Sequence, residues 1–277
     1  MKKITVPLWA IALLLAGIFV KEVYYPPKVN NIIQQSTYSV PEPVISASDN
    51  VLKIRATFQV ETMNMMQYWL GVTMPPDTQT VSGTGSGFVW KDSLVVTAYH
   101  VVHMSKEDLR SFKGLKGATS KLKRIIVYGI DGEKMPARIL YVDSLNDIAI
   151  LSLGCIFDLK GLELSAIKLK KFDFVWTVGY PEGNNGVVIS PPQIFYFNHS
   201  LSDVDTSSSE GFLVKAGHEK IMRISAGQAI CHGSSGGPVL DYNGRVLGII
   251  VTGDEFGNME YVVPVELIKR LFYKHQK

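Results

Sequence analysis

Apolar and polar residues alternate between Lys53 and Val60. Ile54, Ala56, Phe58 and Val60 fall on one side of the chain, and Lys53, Arg55, Thr57 and Gln59 on the other. That period of two predicts a half-buried strand, with order beginning near Val51. Strand-like runs recur downstream. Gly83 to Trp90 and Ser93 to His100 flank a Lys91-Asp92 turn, which puts His100 at the end of a hairpin. Lys123 to Tyr128 and Met135 to Val142 form a second hairpin around Asp131-Gly132, leading into the segment that holds Asp147. Shorter runs follow at Phe174 to Val178, Gly186 to Ser190, Ile221 to Ser225, Pro238 to Leu240 and Val246 to Val251. The last two flank Asn243-Gly244, a two-residue hairpin signal. Only the C-terminal end has a helical period, with Val265, Leu267, Ile268, Leu271 and Phe272 on one face after Pro264. Many short strands with turns between them and almost no helix predict an all-β barrel architecture.

Outside these runs the pattern changes twice. Met1-Lys2-Lys3 precedes a 17-residue apolar run from Ile4 to Val20, closed by Lys21-Glu22. It is long for a signal-peptide core and at the lower limit for a membrane-spanning helix. The lysines before it favour an N-terminus inside and a body outside. Residues 1–20 therefore read as an uncleaved membrane anchor or, alternatively, as a cleaved signal. Both readings carry the protein out of the cytoplasm, to the periplasm, the cell surface or the medium. Residues 21–49, with Pro26-Pro27, Pro41 and Pro43, read as an extended linker. Met63, Met65, Met66 and Trp69 suggest a satellite core cluster, and Ser200 to Gly211 a polar loop.

Composition narrows the function. At 277 residues the chain can bury a sizeable core. A net charge of +3 with no basic stripe of interleaved aromatics argues against a nucleic-acid binder. Lys113, Lys116, Lys121, Lys123 and Arg124 read as a solvated loop. Two cysteines, Cys155 and Cys231, exclude a disulfide framework while leaving open a single pairing.

The chemistry centres on Gly233-Ser234-Ser235-Gly236-Gly237-Pro238. A serine nucleophile needs a tight backbone that presents its hydroxyl and aims N–H groups at a developing oxyanion. Ser235 would be that nucleophile, with the N–H groups of Gly233 and Ser235 as the oxyanion hole. Its hydroxyl is unreactive without a base, and His100, in Val95 to Val102, would serve as one. Asp147, in Asn146-Asp147-Ile148-Ala149, would fix the imidazole tautomer and stabilise the imidazolium. No metal or organic cofactor is called for. Gly233 to Gly237 also fits the Gly-x-Ser-x-Gly elbow of esterases, but that fold needs its acid and histidine after the serine. Only Asp254, His275 and, poorly, Asp241 could serve, and 42 residues after Ser235 are too few for the remaining fold.

With His, Asp and Ser in that order, the chain resembles the trypsin-like (chymotrypsin-fold) serine proteases, nearest to the HtrA/Deg branch. The likeness runs from about Val51 to the C-terminal helix. It is carried by Gly83 to Val89, Thr97 to Val102, Asp143 to Leu151, Val178-Gly179-Tyr180-Pro181-x-Gly183 and Gly233 to Leu240. The resemblance implies two six-stranded antiparallel barrels in residues 50–277, meeting near residue 165. His100 and Asp147 would lie in the first barrel and Ser235 in the second. It would place Cys155 and Cys231 in different halves, as separate thiols. Departures matter too. Position 234 is Ser where the family usually carries Asp or Asn, and no Ile-Val-Gly-Gly-like new terminus is visible. Only 39 residues follow Pro238, enough to finish the second barrel but not to add a PDZ domain.

The resemblance also places the primary specificity pocket. Ala229 would be its floor and Val251-Thr252-Gly253 one wall, offering no counter-charge to a cationic side chain. Cleavage after small or aliphatic residues of polypeptide substrates is the expectation. The rival from another class is a protease-fold scaffold or binding protein that is catalytically silent.

Overall fold

The computed structural model describes residues 39–62, 76–91, 93–105, 108–109, 118–154, 160–200, 220–225, 232–253 and 259–275. The apolar run Ile4 to Val20, the cluster around Met63, both cysteines, Ala229 and most of the polar loop after Ser200 lie outside the described residues. Among those described, no helix is long and apolar enough to cross a membrane.

Six strands close the first barrel: β1 (Val51–Thr62), β2 (Asp77–Lys91), β3 (Leu94–Ala98), β4 (Thr119–Tyr128), β5 (Lys134–Asp143) and β6 (Ile148–Leu153). Their order is β1-β2-β3-β6-β5-β4, and β1 pairs antiparallel with β4 to seal it. Leu52, Ile54, Val95, Val127 and Leu151 share one face of these strands, and all are fully buried. The strands are longer than their hydrophobic alternation predicts. β1 and β2 pair without a break from Val51 opposite Phe88 to Thr62 opposite Asp77.

The second barrel uses β7 (Phe174–Gly179), β9 (Gln193–Ser200), β10 (Lys220–Ser225), β11 (Pro238–Leu240), β12 (Val246–Gly253) and β13 (Met259–Pro264). The order β11-β12-β13-β10-β9-β7 returns to its start where Val239 pairs with Thr177. The short β8 (Val188–Ile189) is appended to β7. Both barrels are thus six-stranded and antiparallel, which is the chymotrypsin-like fold. Their changeover lies near Leu162 to Ser165. Leu162 N–H donates to Val89 of the first barrel, and Ser165 N–H to Val246 of the second.

Three differences from the sequence reading have clear causes. Part of the expected linker is a helix, α1 (Glu42–Ser48), whose Val44 and Ala47 are buried in the core. The two prolines that suggested extension sit at or just before its first turn, where a missing N–H costs nothing. Second, Lys53 is buried on the face opposite Ile54 rather than exposed, for reasons given below. Third, Lys121, Lys123 and Arg124 stand on β4 with exposed side chains, a solvated strand face rather than a loop.

The C-terminal helix α3 (Val265–Lys274) follows the last strand of the second barrel but returns to the first. Its Phe272 packs edge-on against Trp90 at 4.7 Å and against Tyr141 at 6.4 Å. Such aromatic contacts add to burial and fasten the barrels to one another.

Candidate active site

His100 does not end the strand. β3 stops at Ala98, and His100 belongs to a one-turn helix, α2 (Tyr99–Val102). Asp147 comes from the turn between β5 and β6. Asp143 organises that turn: its carboxylate accepts from Leu145 N–H at 3.2 Å, Asn146 N–H at 3.1 Å and Asn146 Nδ2 at 2.9 Å. The buried Asn146 then delivers Asp147 in a left-handed conformation, φ 55°. Aspartate is one of the few residues that tolerate it.

The strained backbone turns three acceptors of Asp147 toward α2. Its carbonyl accepts from Tyr99 N–H at 3.1 Å and its Oδ1 from His100 N–H at 2.8 Å. Oδ2 lies 2.6 Å from His100 Nδ1. One carboxylate thus holds both the backbone and the ring of the histidine, and fixes the tautomer with the proton on Nδ1. Desolvation of the ring favours its neutral form. The hydrogen bond and charge of Asp147, aided by Asp108, outweigh it and raise the His100 pKa above the usual imidazole value. The imidazole remains 43% exposed, so its Nε2 side is open to a reactant.

The Ser235 loop is organised by backbone. Gly233 and Gly236 take φ values of 103° and 84°, a region that only glycine enters freely. At Gly236 a Cβ would also come within 2.3 Å of Ser86 O and Thr97 Oγ1, so the loop lies directly against the strand that leads into His100. Each carbonyl from residue 232 to 235 is occupied. His232 O accepts from Glu182 N–H, Gly233 O from Ser86 Oγ at 2.7 Å, Ser234 O from Gly237 N–H at 2.9 Å, and Ser235 O from Ser86 N–H at 2.8 Å. The N–H groups of Gly233, Ser234 and Ser235 donate to no described residue. Because a trans peptide points its C=O and N–H in opposite directions, each tied carbonyl turns the amide that follows it away from the carbonyl's own partner. Successive backbone N–H groups with no described acceptor are the kind of arrangement that can form an anion-binding concavity.

The arrangement combines a candidate nucleophile, a histidine held by a carboxylate and backbone N–H groups that are candidates to receive an oxyanion. A family model described as a trypsin-like peptidase domain matches residues 85–249. The chain belongs to the trypsin-like peptidase family. Among curated proteins, the chain is similar to the serine protease Do-like HtrA of Bacillus subtilis. The two are 27% identical over 198 residues, which is 69% of this chain and 38% of that one. The chain spans less than half the length of these curated relatives. Solved structures share the fold. An HtrA-type AlgW protease in a serine-to-alanine variant with a decapeptide aligns at TM-score 0.63 and 18% identity, covering 87% of this chain and 68% of that one. The active form of the M. tuberculosis protease Rv3671c aligns at 0.57 and 20%, covering 90% and 92%. Family and sequence relatives together make the chain a homologue of HtrA/Deg-type serine proteases.

Residues expected to shape the specificity pocket are only partly in view. Ala229 is outside the described residues; Val251 is buried, Thr252 half-buried and Gly253 exposed. A small cavity does lie against Ser234, lined by Thr177, Val178, Gly179, Val188, Ser190 and Ile250, but it involves none of those three. Sequence reasoning missed Ser86, Glu182 and Lys53. The Gly-Ser-Gly around Ser86 was visible as a motif, yet nothing in it announces where the hydroxyl goes. Asp241, weighed above as an esterase acid, is instead a turn former. It accepts from Ser165 Oγ, Asn243 N–H and Arg245 N–H.

Proposed function

We propose that this chain is a serine endopeptidase that cleaves polypeptides through an acyl-enzyme. Ser235 Oγ attacks the scissile carbonyl and His100 takes its proton, later passing it to the leaving amine. Asp147 holds the ring and stabilises the imidazolium. The N–H groups of Gly233 and Ser235 receive the oxyanion. One observation carries the reading. The Asp147–His100 pair is formed at 2.6 Å, beside a loop whose carbonyls 232 to 235 are tied back and whose Gly233, Ser234 and Ser235 N–H groups donate to no described residue. We further propose a preference for small or aliphatic residues before the cut, from Ala229, Val251, Thr252 and Gly253. The run Ile4 to Val20 supports a location outside the cytoplasm, tethered to a membrane or released by signal cleavage.

A second reading, a silent protease-fold scaffold, rests on one feature: Ser235 Oγ makes no hydrogen bond to His100. Apo serine enzymes often tighten this contact only with substrate bound. A fluorophosphonate probe separates the two. Labelling at Ser235, lost in Ser235→Ala, is expected; an unlabelled, folded protein with no peptidase activity supports the scaffold.

A further inference from the structure

We propose that Ser86 is a positioning residue for the oxyanion-binding loop, acting through the backbone of residues 233–235. The proposal rests on the serine-protease reading above and assigns the loop's geometry to a residue of the first barrel.

Ser86 is fully buried on β2 and uses every polar group it has at the barrel junction. Its N–H donates to Ser235 O at 2.8 Å. Its carbonyl accepts from Thr97 Oγ1 at 2.7 Å. Its hydroxyl accepts from Tyr180 N–H at 2.8 Å, so its single proton is left for Gly233 O at 2.7 Å. That chain of donors leaves the rotor no freedom. Two of the four carbonyls that orient the loop are therefore held by one residue, and they bracket the peptide that carries the Ser235 N–H. Peptide planarity transmits the constraint. Fixing Gly233 O fixes the Ser234 N–H, and with the next two planes pinned the Ser235 N–H cannot rotate out of the nest. Ser86 contacts neither Asp147 nor the imidazole, so its influence is on oxyanion stabilisation and not on the base.

Loss of a whole oxyanion donor costs about 10²–10³ in turnover. Loosening the donors while leaving them in place should cost less. Ser86→Ala is expected to lower kcat by about 10- to 100-fold with KM changed by less than about threefold. The protein's concentration is set by active-site titration, so that unfolded molecules do not count. A peptide aldehyde gives a second readout. Ser235 Oγ bonds to the aldehyde carbon, the serine proton passes to His100, and the carbonyl electron pair becomes an oxyanion in the same nest. Its affinity should fall by the same factor as kcat, while the acid limb of the pH profile stays in place. A merely structural role would lower thermal stability without moving these ratios. Parent-like kcat and aldehyde affinity in titrated Ser86→Ala overturn the proposal. Should that variant not fold, Ser86→Cys, a weaker donor, is expected to lose at least about threefold in both; parent-like values there overturn it equally. A parent protein that neither cleaves peptides nor takes the phosphonate probe overturns the protease reading itself, and this proposal with it.

Discussion

The two halves of the site are held in different ways. In the first barrel, His100 and Asp147 meet side chain to side chain at 2.6 Å, on a short helix and a turn, with the imidazole 43% exposed. In the second, the Ser235 loop is fixed almost wholly through its backbone, and Ser234 within it is buried. The first half is an electrostatic device, which tunes a proton affinity. The second is a steric one, which aims dipoles. A charge change should therefore register in the first half and a volume change in the second.

The largest effect should come from removing either reacting group. Ser235→Ala and His100→Ala are each expected to cost on the order of 10⁴–10⁶ in turnover, with the double variant little worse than either. Peptide hydrolysis by the three purified variants checks this. A tenth of parental activity in His100→Ala would mean that His100 is not the base.

Asp147→Asn tests the electrostatic half in isolation. Asparagine tolerates φ 55° as well as aspartate does, so the turn should survive. Its amide, however, presents a donor to Nδ1 and forces the ring into the wrong tautomer. A loss of about 10³–10⁴ is expected. The pH profile carries the sign. As the proposed base, His100 works when neutral, and its pKa is raised in the fold, so activity is expected to climb as pH passes above the usual imidazole range. The same shift acts oppositely on stability. The protonated ring contributes in full below its unfolded pKa, and that contribution is lost as pH rises through the raised folded value. Asp147→Asn should shift the acid limb to lower pH and flatten the stability change. An unmoved limb would separate Asp147 from the base.

The steric half should answer to volume. Gly236→Ala places a Cβ within 2.3 Å of Ser86 O and Thr97 Oγ1 at a φ of 84°. Activity is expected to fall by about 10² or more and stability by on the order of 2–4 kcal/mol, with no change in the acid limb of the pH profile. Denaturant unfolding and pH-rate curves together decide it. A displaced limb would show that the two halves are not separate.

How much of this was legible in sequence follows the same divide. His100, Asp147 and Ser235 stood out because reactive chemistry needs particular side chains in a particular order. Strands with one wet face, such as Lys123 to Tyr128, were readable from their alternation. β13 was not: residues 260–264 are buried on both faces, so the period of two disappears. α1 was hidden by prolines that serve a helix start. The left-handed Asp147 and the Ser86 network were out of reach for another reason. Both depend on where distant carbonyls arrive after folding, and a hydrogen bond spanning 147 residues leaves no local signature.

The smallest expected effect sharpens the boundary between the halves. Lys53 sits on β1 of the first barrel but sends its ammonium across to the turn that follows β7. There it donates to Gly183 O and, at 3.2 Å, to Asn184 O. That turn carries the Glu182 N–H which holds His232 O, so Lys53 stands two contacts away from the Gly233 amide. Desolvation, with the nearby Arg55 charge, lowers the Lys53 pKa. A depressed lysine pKa adds stability above the unfolded value that is lost as pH falls through the folded one. At neutral pH the buried charge therefore offsets much of what its hydrogen bonds provide. Lys53→Met keeps the length of the side chain and removes both the cost and the contacts. Thermal stability at pH 7 is expected to stay within about 1 kcal/mol of the parent. Turnover should fall by only about 3- to 10-fold, because a slackened turn frees the His232 carbonyl without displacing it. Calorimetry and steady-state kinetics on one preparation test both numbers. A stability loss of several kcal/mol would make Lys53 a strut between barrels, and an unchanged kcat would detach the turn from the oxyanion site.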